Sequence, residues 1–306
     1  MKGRDLLVIL FGGLIFAGIL FRFFPQKKPT TKTAIVSPVG KGIKGISTFI
    51  SHARGNKLDE VVTTSLAGTH GTYGIVIKNL RTGETYYQNE NMTFETASLY
   101  KLWVMAAVYQ QYKNGTLTPD QTLSESVEDL NKAFDIDPDY AEKTDGDITF
   151  TVNDALEQMI TISDNYAALL LTAKIRLSTV ANFLTQQGFK HSIVGEPPRS
   201  TPNDIALFYE KLYAGTIVDG DSSKQMIELL DHQAINDRIP KYLPDNIQVA
   251  HKTGELDEYK HDAGIIFAKD PILFVAMSKS DSPPDAAERI AQLASDVYDY
   301  FNTKSD

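Results

Sequence analysis

Strand-like runs stand at the two ends of this sequence and helical patterns fill the middle, so any sheet the chain forms is assembled from segments about 160 residues apart. From Tyr73, YGIVIKNLRTGETYYQN gives a β-branched run, a turn at Arg81–Gly83 and a second run rich in Thr and Tyr, which is a hairpin signature. Near the other end NIQVAHKTG, DAGIIFAK and ILFVAMSKS follow at short spacing. Helical patterns lie between, at 98–113, 152–161, 165–175, 179–187 and 203–213, and a last helix runs from Pro284 to Phe301 with Ile290, Leu293, Ala294, Val297, Tyr298 and Phe301 on one stripe. One sheet closed by distant segments, with a helical block as a second lobe, predicts an α+β domain. It is expected to begin near Ile46 and run to residue 306, and no internal repeat divides it.

The N-terminal segment is different in kind. Residues 1–45 hold eight Lys/Arg and one Asp, leaving 22 basic and 38 acidic residues for the remainder. A body that acidic repels a phosphate backbone, which argues against a nucleic-acid partner. Residues 6–21 carry no polar side chain, and the apolar run extends past Arg22 to Phe24. That length is at the short end of a membrane span. FRFFPQKK follows instead of a small-x-small cleavage site, so residues 6–24 are expected to be a membrane anchor, or an uncleaved signal, and 25–45 a basic tether. Basic residues flank both ends of the run, so charge does not orient it.

The chain has no cysteine, which excludes disulfides and thiolate chemistry, and its six histidines show no metal-ligand spacing. Neither a metal nor a cofactor is expected.

Three polar triplets carry the candidate chemistry. Ser98-x-x-Lys101 opens a helix that is apolar on nearly every side from Leu102 to Tyr109 and stops at Asn114-Gly115. Residues three apart share a helix face, and a lysine held neutral by burial is able to take a serine proton. The plain alternative is that Ser98 caps the helix and Lys101 reaches outward. Ser163-Asp164-Asn165 sits between two helical stretches, where such residues are either caps or, for Ser163 and Asn165, a proton shuttle and an amide offered to a substrate. Lys252-Thr253-Gly254 ends a strand-like run; the two side chains suit a carboxylate and Gly254 a close backbone approach, against the alternative of an ordinary strand end. Arg81-Thr82-Gly83 imitates this last triplet but reads as a turn. S-x-x-K, S-D-N and K-T-G occur in that order, 65 and 89 residues apart, on a helix start, an interhelical junction and a strand.

With these triplets, the hairpin before TASLYK, the DAGII strand after K-T-G and the C-terminal helix, the chain resembles the class A β-lactamases and the wider group of penicillin-recognising serine enzymes over about residues 46–303. The resemblance implies an antiparallel sheet flanked by N- and C-terminal helices plus an all-helical lobe, with the serine between them. It implies Ser98 as acylated nucleophile, Lys101 as its activating base or proton relay, Ser163 as proton shuttle to the leaving nitrogen and Asn165 as ligand of the acylamide side chain. Lys252 and Thr253 would anchor a carboxylate, and the N–H groups of Ser98 and Glu255 would form an oxyanion hole. The expected substrate is a β-lactam hydrolysed through an acyl-enzyme, in an extracytoplasmic, monomeric domain. The alternatives are a penicillin-binding-protein-like DD-peptidase or other amide or ester hydrolase acting on cell-wall peptides, with slow deacylation, and a non-catalytic membrane-tethered binding module.

Two stretches depart from that pattern. In GFKHSIVGEPPRSTPND, residues 188–204, Glu196-Pro197 resembles the start of the deacylating loop, but the loop is short and an expected asparagine is missing. Glu196 is thus either the base that activates water or a solvated turn residue. Glu255 stands after K-T-G where a small or hydroxylic residue is usual, and its carboxylate would face that of a substrate.

Overall fold

The structure, a computed structural model, describes residues 57–303; the expected anchor and tether lie outside them. In chain order the elements are α1 (Lys57–Ser65), β1 (Thr72–Asn79), β2 (Thr85–Gln88), β3 (Phe94–Glu95), a 3₁₀ turn (Ala97–Tyr100), α2 (Lys101–Lys113), β4 (Thr122–Ser126), α3 (Val127–Ala133), β5 (Asp147–Thr151), α4 (Val152–Thr161), α5 (Asn165–Ile175) and α6 (Leu177–Gln187). Then come β6 (Arg199–Ser200), α7 (Pro202–Tyr213), α8 (Gly220–Asp231), a second 3₁₀ turn (Ile239–Tyr242), β7 (Val249–Leu256), β8 (Tyr259–Ile266), β9 (Ile272–Lys279) and α9 (Pro283–Thr303).

The sheet runs β2-β1-β9-β8-β7 with every pair antiparallel, so the N-terminal hairpin joins the C-terminal meander through β1 and β9. Alternation along the strands gives it two apolar faces. Ile75 and Ile77 of β1 and Phe274 and Ala276 of β9 pack with Leu58 and Val62 of α1 and with Ile290, Leu293 and Val297 of α9. Their neighbours Val76, Leu273, Val275 and Met277 belong to the core shared with the helical lobe. The fold is therefore the expected α+β arrangement, a sheet with terminal helices on one face and a helical lobe on the other.

At the centre of that lobe α2 buries every residue from Lys101 to Tyr109. Arg81-Thr82-Gly83 is the turn between β1 and β2, with Arg81 Nη2 donating to Asp270 at 2.6 Å. Among the described residues no single helix is long and apolar enough to cross a membrane.

Candidate active site

Ser98 lies in the 3₁₀ turn that feeds α2. In a 3₁₀ turn residues i and i+3 eclipse, which sets Lys101 in line with Ser98. Neither the turn nor α2 has a side-chain cap at its start, so Ser98 does not serve as one. The residue before it, Ala97, holds φ +43°, a left-handed conformation that costs energy for a residue with a Cβ and is retained here by its surroundings. Ala97 and Leu99 are buried while Ser98 is half-buried between them.

Lys101 is fully buried and its Nζ donates to Ser163 O at 2.6 Å, Asn165 Oδ1 at 2.7 Å and Ser163 Oγ at 3.2 Å. Burial lowers its pKa to about 7, against the opposing pull of Asp164 and Glu142. Lys252, on β7, is equally buried, and its Nζ donates to Ser163 Oγ at 3.0 Å and Thr253 O at 3.1 Å. Burial, then the charges of Lys101 and Arg238, hold Lys252 well below the usual lysine range. One hydroxyl thus receives both lysines.

That convergence depends on how α5 begins. Of the Ser163-Asp164-Asn165 trio only Asp164 caps the helix, accepting from Ala167 N at 2.7 Å. Ser163, at φ +61°, and Asn165 are left to face Lys101. Asn165 Nδ2 in turn donates to Glu142, a residue of the α3–β5 connection.

Gly254 determines how close β7 comes. A Cβ there would lie 2.8 Å from Thr96 O and 3.2 Å from Leu99 Cγ and His261 Cδ2. The backbone that needs its missing side chain is therefore the chain's own, leading into Ser98. His261 completes the contact: its Nδ1 accepts from Ser278 N at 3.1 Å, so Nε2–H donates to Glu95 O at 2.7 Å. Burial lowers the His261 pKa to about 4 and keeps the ring neutral.

Thr253 is buried, and the Glu255 side chain, 40% exposed, takes Arg238 Nη2 at 2.6 Å and pairs with Lys260. Burial alone would raise the Glu255 pKa; the hydrogen bond from Lys260 and the charges of Arg238 and Lys260 outweigh it and hold the carboxyl below its ordinary range. Arg238 is wholly buried, and its loop is fastened to the sheet on both sides. Asn236 Oδ1 lies 3.1 Å from His251 Nε2, and Ile239 N donates to Asp262 Oδ2 at 3.0 Å. His251 Nδ1 itself lies 2.9 Å from Asp262 Oδ1.

Glu196 is on the loop between α6 and α7. Ile193 and Arg199 exchange backbone bonds of 2.8 and 3.0 Å across the loop, β3 pairs with β6, and Thr96 N donates to Pro198 O at 2.9 Å. The loop is thus docked beside the approach to Ser98. The Glu196 carboxyl does not join the Lys101 cluster; partial burial and the neighbouring Asp135 carboxylate raise its pKa.

Of the nine residues singled out from sequence, Ser98, Lys101, Ser163, Asn165, Lys252, Thr253, Gly254 and Glu255 meet where the 3₁₀ turn, the start of α5 and β7 converge, and Glu196 stands apart on its loop. Arg238, Glu142 and His261 were missed as site residues. Arg238 and Glu142 lie in connections without periodicity, and only a charge opposite Glu255 hints at the first. Among the described residues no group of three or more His, Asp or Glu converges as a cation site.

Solved structures with this fold include a β-lactamase from Sphaerobacter thermophilus, 24% identical over 80% of this chain and 97% of its own, with a TM-score of 0.71. PBP-A is 21% identical over 80% of this chain and 96% of its own, also at 0.71. A class A β-lactamase representative from Bacteroides cellulosilyticus is 19% identical over 81% and 98%, at 0.68. No curated protein matches the chain. The model of the β-lactamase enzyme family matches residues 56–301. A match over that much of the sequence establishes that the chain belongs to the β-lactamase enzyme family.

Proposed function

We propose that the chain is a serine hydrolase of the class A type, opening the β-lactam amide through an acyl-enzyme on Ser98. The observation that carries this reading is the Ser163 hydroxyl held 3.2 Å from Lys101 Nζ and 3.0 Å from Lys252 Nζ. With a pKa of about 7, Lys101 is in part a free amine at neutral pH and takes the Ser98 proton as Oγ attacks the carbonyl carbon. The N–H groups of Ser98 and Glu255 receive the developing oxyanion; losing one such donor typically costs about 10²–10³ in rate. As the C–N bond breaks, the Ser163 hydroxyl gives its proton to the nitrogen and is resupplied by the lysines that already donate to it. Asn165 holds the acylamide side chain, and Lys252 and Thr253 line the side on which the leaving group's polar substituent sits. Water then attacks the ester, and Glu196, its pKa raised, takes the proton.

A second reading is favoured by one observation. Lys101 has Ser163 and Asn165 as partners and Asp164 and Glu142 as acidic neighbours, whereas Glu196 has Asp135. A base outside the lysine cluster suits slow deacylation, as in a penicillin-binding protein acting on D-Ala-D-Ala ends, and a PBP-A variant is known as an acyl-enzyme with penicillin G. In either case the apolar run 6–24 would anchor the domain on the outer side of a membrane.

The test is to incubate the full chain, in detergent, with benzylpenicillin and a chromogenic β-lactam, following intact mass and turnover. A transient adduct on Ser98 with turnover supports hydrolysis, and a lasting adduct supports the second reading. No adduct on the wild type, with Ser98→Ala indistinguishable from it, would sink both.

A further inference from the structure

The charges around Glu255 bear on which substrates the site accepts. Thr253 and Glu255 are two apart on β7 and so share a strand face. Glu255 lies on that face with Arg238 on one side and, directly opposite it in the β7–β8 register, Lys260 on the other. Arg238 Nη2, itself buried, and the partly exposed Lys260 ammonium are the cationic groups that meet this face beside Thr253, and both end on Glu255. Lys252 spends its ammonium on Ser163 and on Thr253 O. The remaining Arg238 nitrogens are buried: Nη1 is ion-paired with Asp237 Oδ1 at 3.2 Å, and Nε has no hydrogen-bond acceptor.

We propose that Glu255 sets the substrate class: its carboxylate, clamped between Arg238 and Lys260, occupies the place of a substrate carboxylate. The site then favours a leaving group whose carboxylate is capped as an ester or amide over the same group as the free acid. The proposal rests on the acyl-serine reading above. It follows from placement, because a second carboxylate brought to Thr253 meets a like charge, and the neighbouring cations among the described residues are already engaged, Arg238 with Asp237 and Glu255, Lys260 with Glu255 and Lys252 with Ser163; like-charge juxtaposition discriminates at polar interfaces.

The experiment compares second-order acylation rates for benzylpenicillin and its methyl ester, read as adduct on Ser98 by intact mass, in the full chain and in Glu255→Gln and Lys260→Gln. The wild type should prefer the ester. Glu255→Gln retains an acceptor for Arg238 but not the charge, so the ester-to-acid rate ratio should fall about tenfold. Lys260→Gln leaves Glu255 less compensated, and the ratio should rise. Opposite movements are not produced by general damage to the fold, which changes both rates together, and Lys260→Gln alone decides the matter should Glu255→Gln fail to fold. Equal ratios in the variants and the wild type would overturn the proposal while leaving the acyl-serine reading standing. Absence of adduct with either compound on the wild type would overturn that reading and this one with it.

Discussion

The backbone N–H and the side-chain hydroxyl of Thr96 both donate to the carbonyl of Pro198, at 2.9 and 3.2 Å. Two bonds from one residue fix the Glu196 loop to the segment that leads, two residues later, into Ser98. If Glu196 is the deacylating base, Glu196→Gln should leave acylation within a fewfold of wild type and slow deacylation by about 10²–10⁴, the usual worth of a positioned general base. The adduct on Ser98 would then persist in mass spectra. Unchanged deacylation would assign Glu196 to the turn.

As the proposed base, Lys101 should make the acylation step pH-dependent. A base must be unprotonated, and burial brings this one to about 7, so acylation by the wild type should fall as pH drops below that value and level off above it. Substituting Lys101→Arg keeps the charge but cannot supply a free base, and should lower acylation by at least about 10³ with no rise between pH 6 and 8. Stopped-flow acylation across pH 5–9 would test both; a flat wild-type profile would remove Lys101 from the role.

Ser163 is the point at which the two lysines meet. Ser163→Ala leaves Lys101 Nζ with Ser163 O and Asn165 Oδ1, and Lys252 Nζ with Thr253 O. The fold should survive, because Asp164, not Ser163, caps α5. Acylation by an amide substrate should drop about 10²–10³, while a thioester, whose leaving group needs no proton, should be affected much less. Equal losses for both would argue that Ser163 only positions the lysines.

α4 and α5 are legible in the sequence at their observed bounds because both are rich in apolar residues, and the three triplets are legible because they occur together in one order, each alone having an ordinary structural use. Less legible are α8, where only Ser223, Met226 and Leu230 turn inward, and the antiparallel β4–β5 pair, which keeps mostly polar side chains in solvent and is joined through α3. At residues 163–165 the geometry assigns the cap to Asp164 and leaves Ser163 and Asn165 facing Lys101. Arg238 was illegible for a related reason: its partner Glu255 is 17 residues away and the loop between is held by His251 and Asp262, a pairing across two strands.

His261 should make the domain sensitive to acid. Its pKa is about 4 folded against about 6.5 unfolded, so between these values the unfolded chain binds more protons and stability falls as pH falls. The full contribution is present above pH 6.5, and about 3 kcal/mol should be lost by pH 4. Chemical denaturation at pH 4, 5, 6 and 7 should show that slope in the wild type and a shallower one in His261→Gln. Parallel slopes would place the acid sensitivity elsewhere.

Gly254→Ala tests whether the closeness of β7 to the Ser98 turn matters for chemistry as well as for packing. The added Cβ would stand 2.8 Å from Thr96 O, a backbone atom that cannot swing aside, and 3.2 Å from Leu99 Cγ and His261 Cδ2. The strand must then move away from the turn, at a cost of about 1–3 kcal/mol for overpacking, or a fall in Tm of several degrees. The same movement widens the distance between the N–H groups of Ser98 and Glu255 and between Lys252 Nζ and Ser163 Oγ. Preorganised donors lose effect with small displacements, so acylation should fall by about 10² even in the fraction that remains folded. Thermal melting and active-site titration on the same sample separate the two effects. A variant that melts lower yet acylates at the wild-type rate would show that the gap at Gly254 serves packing alone.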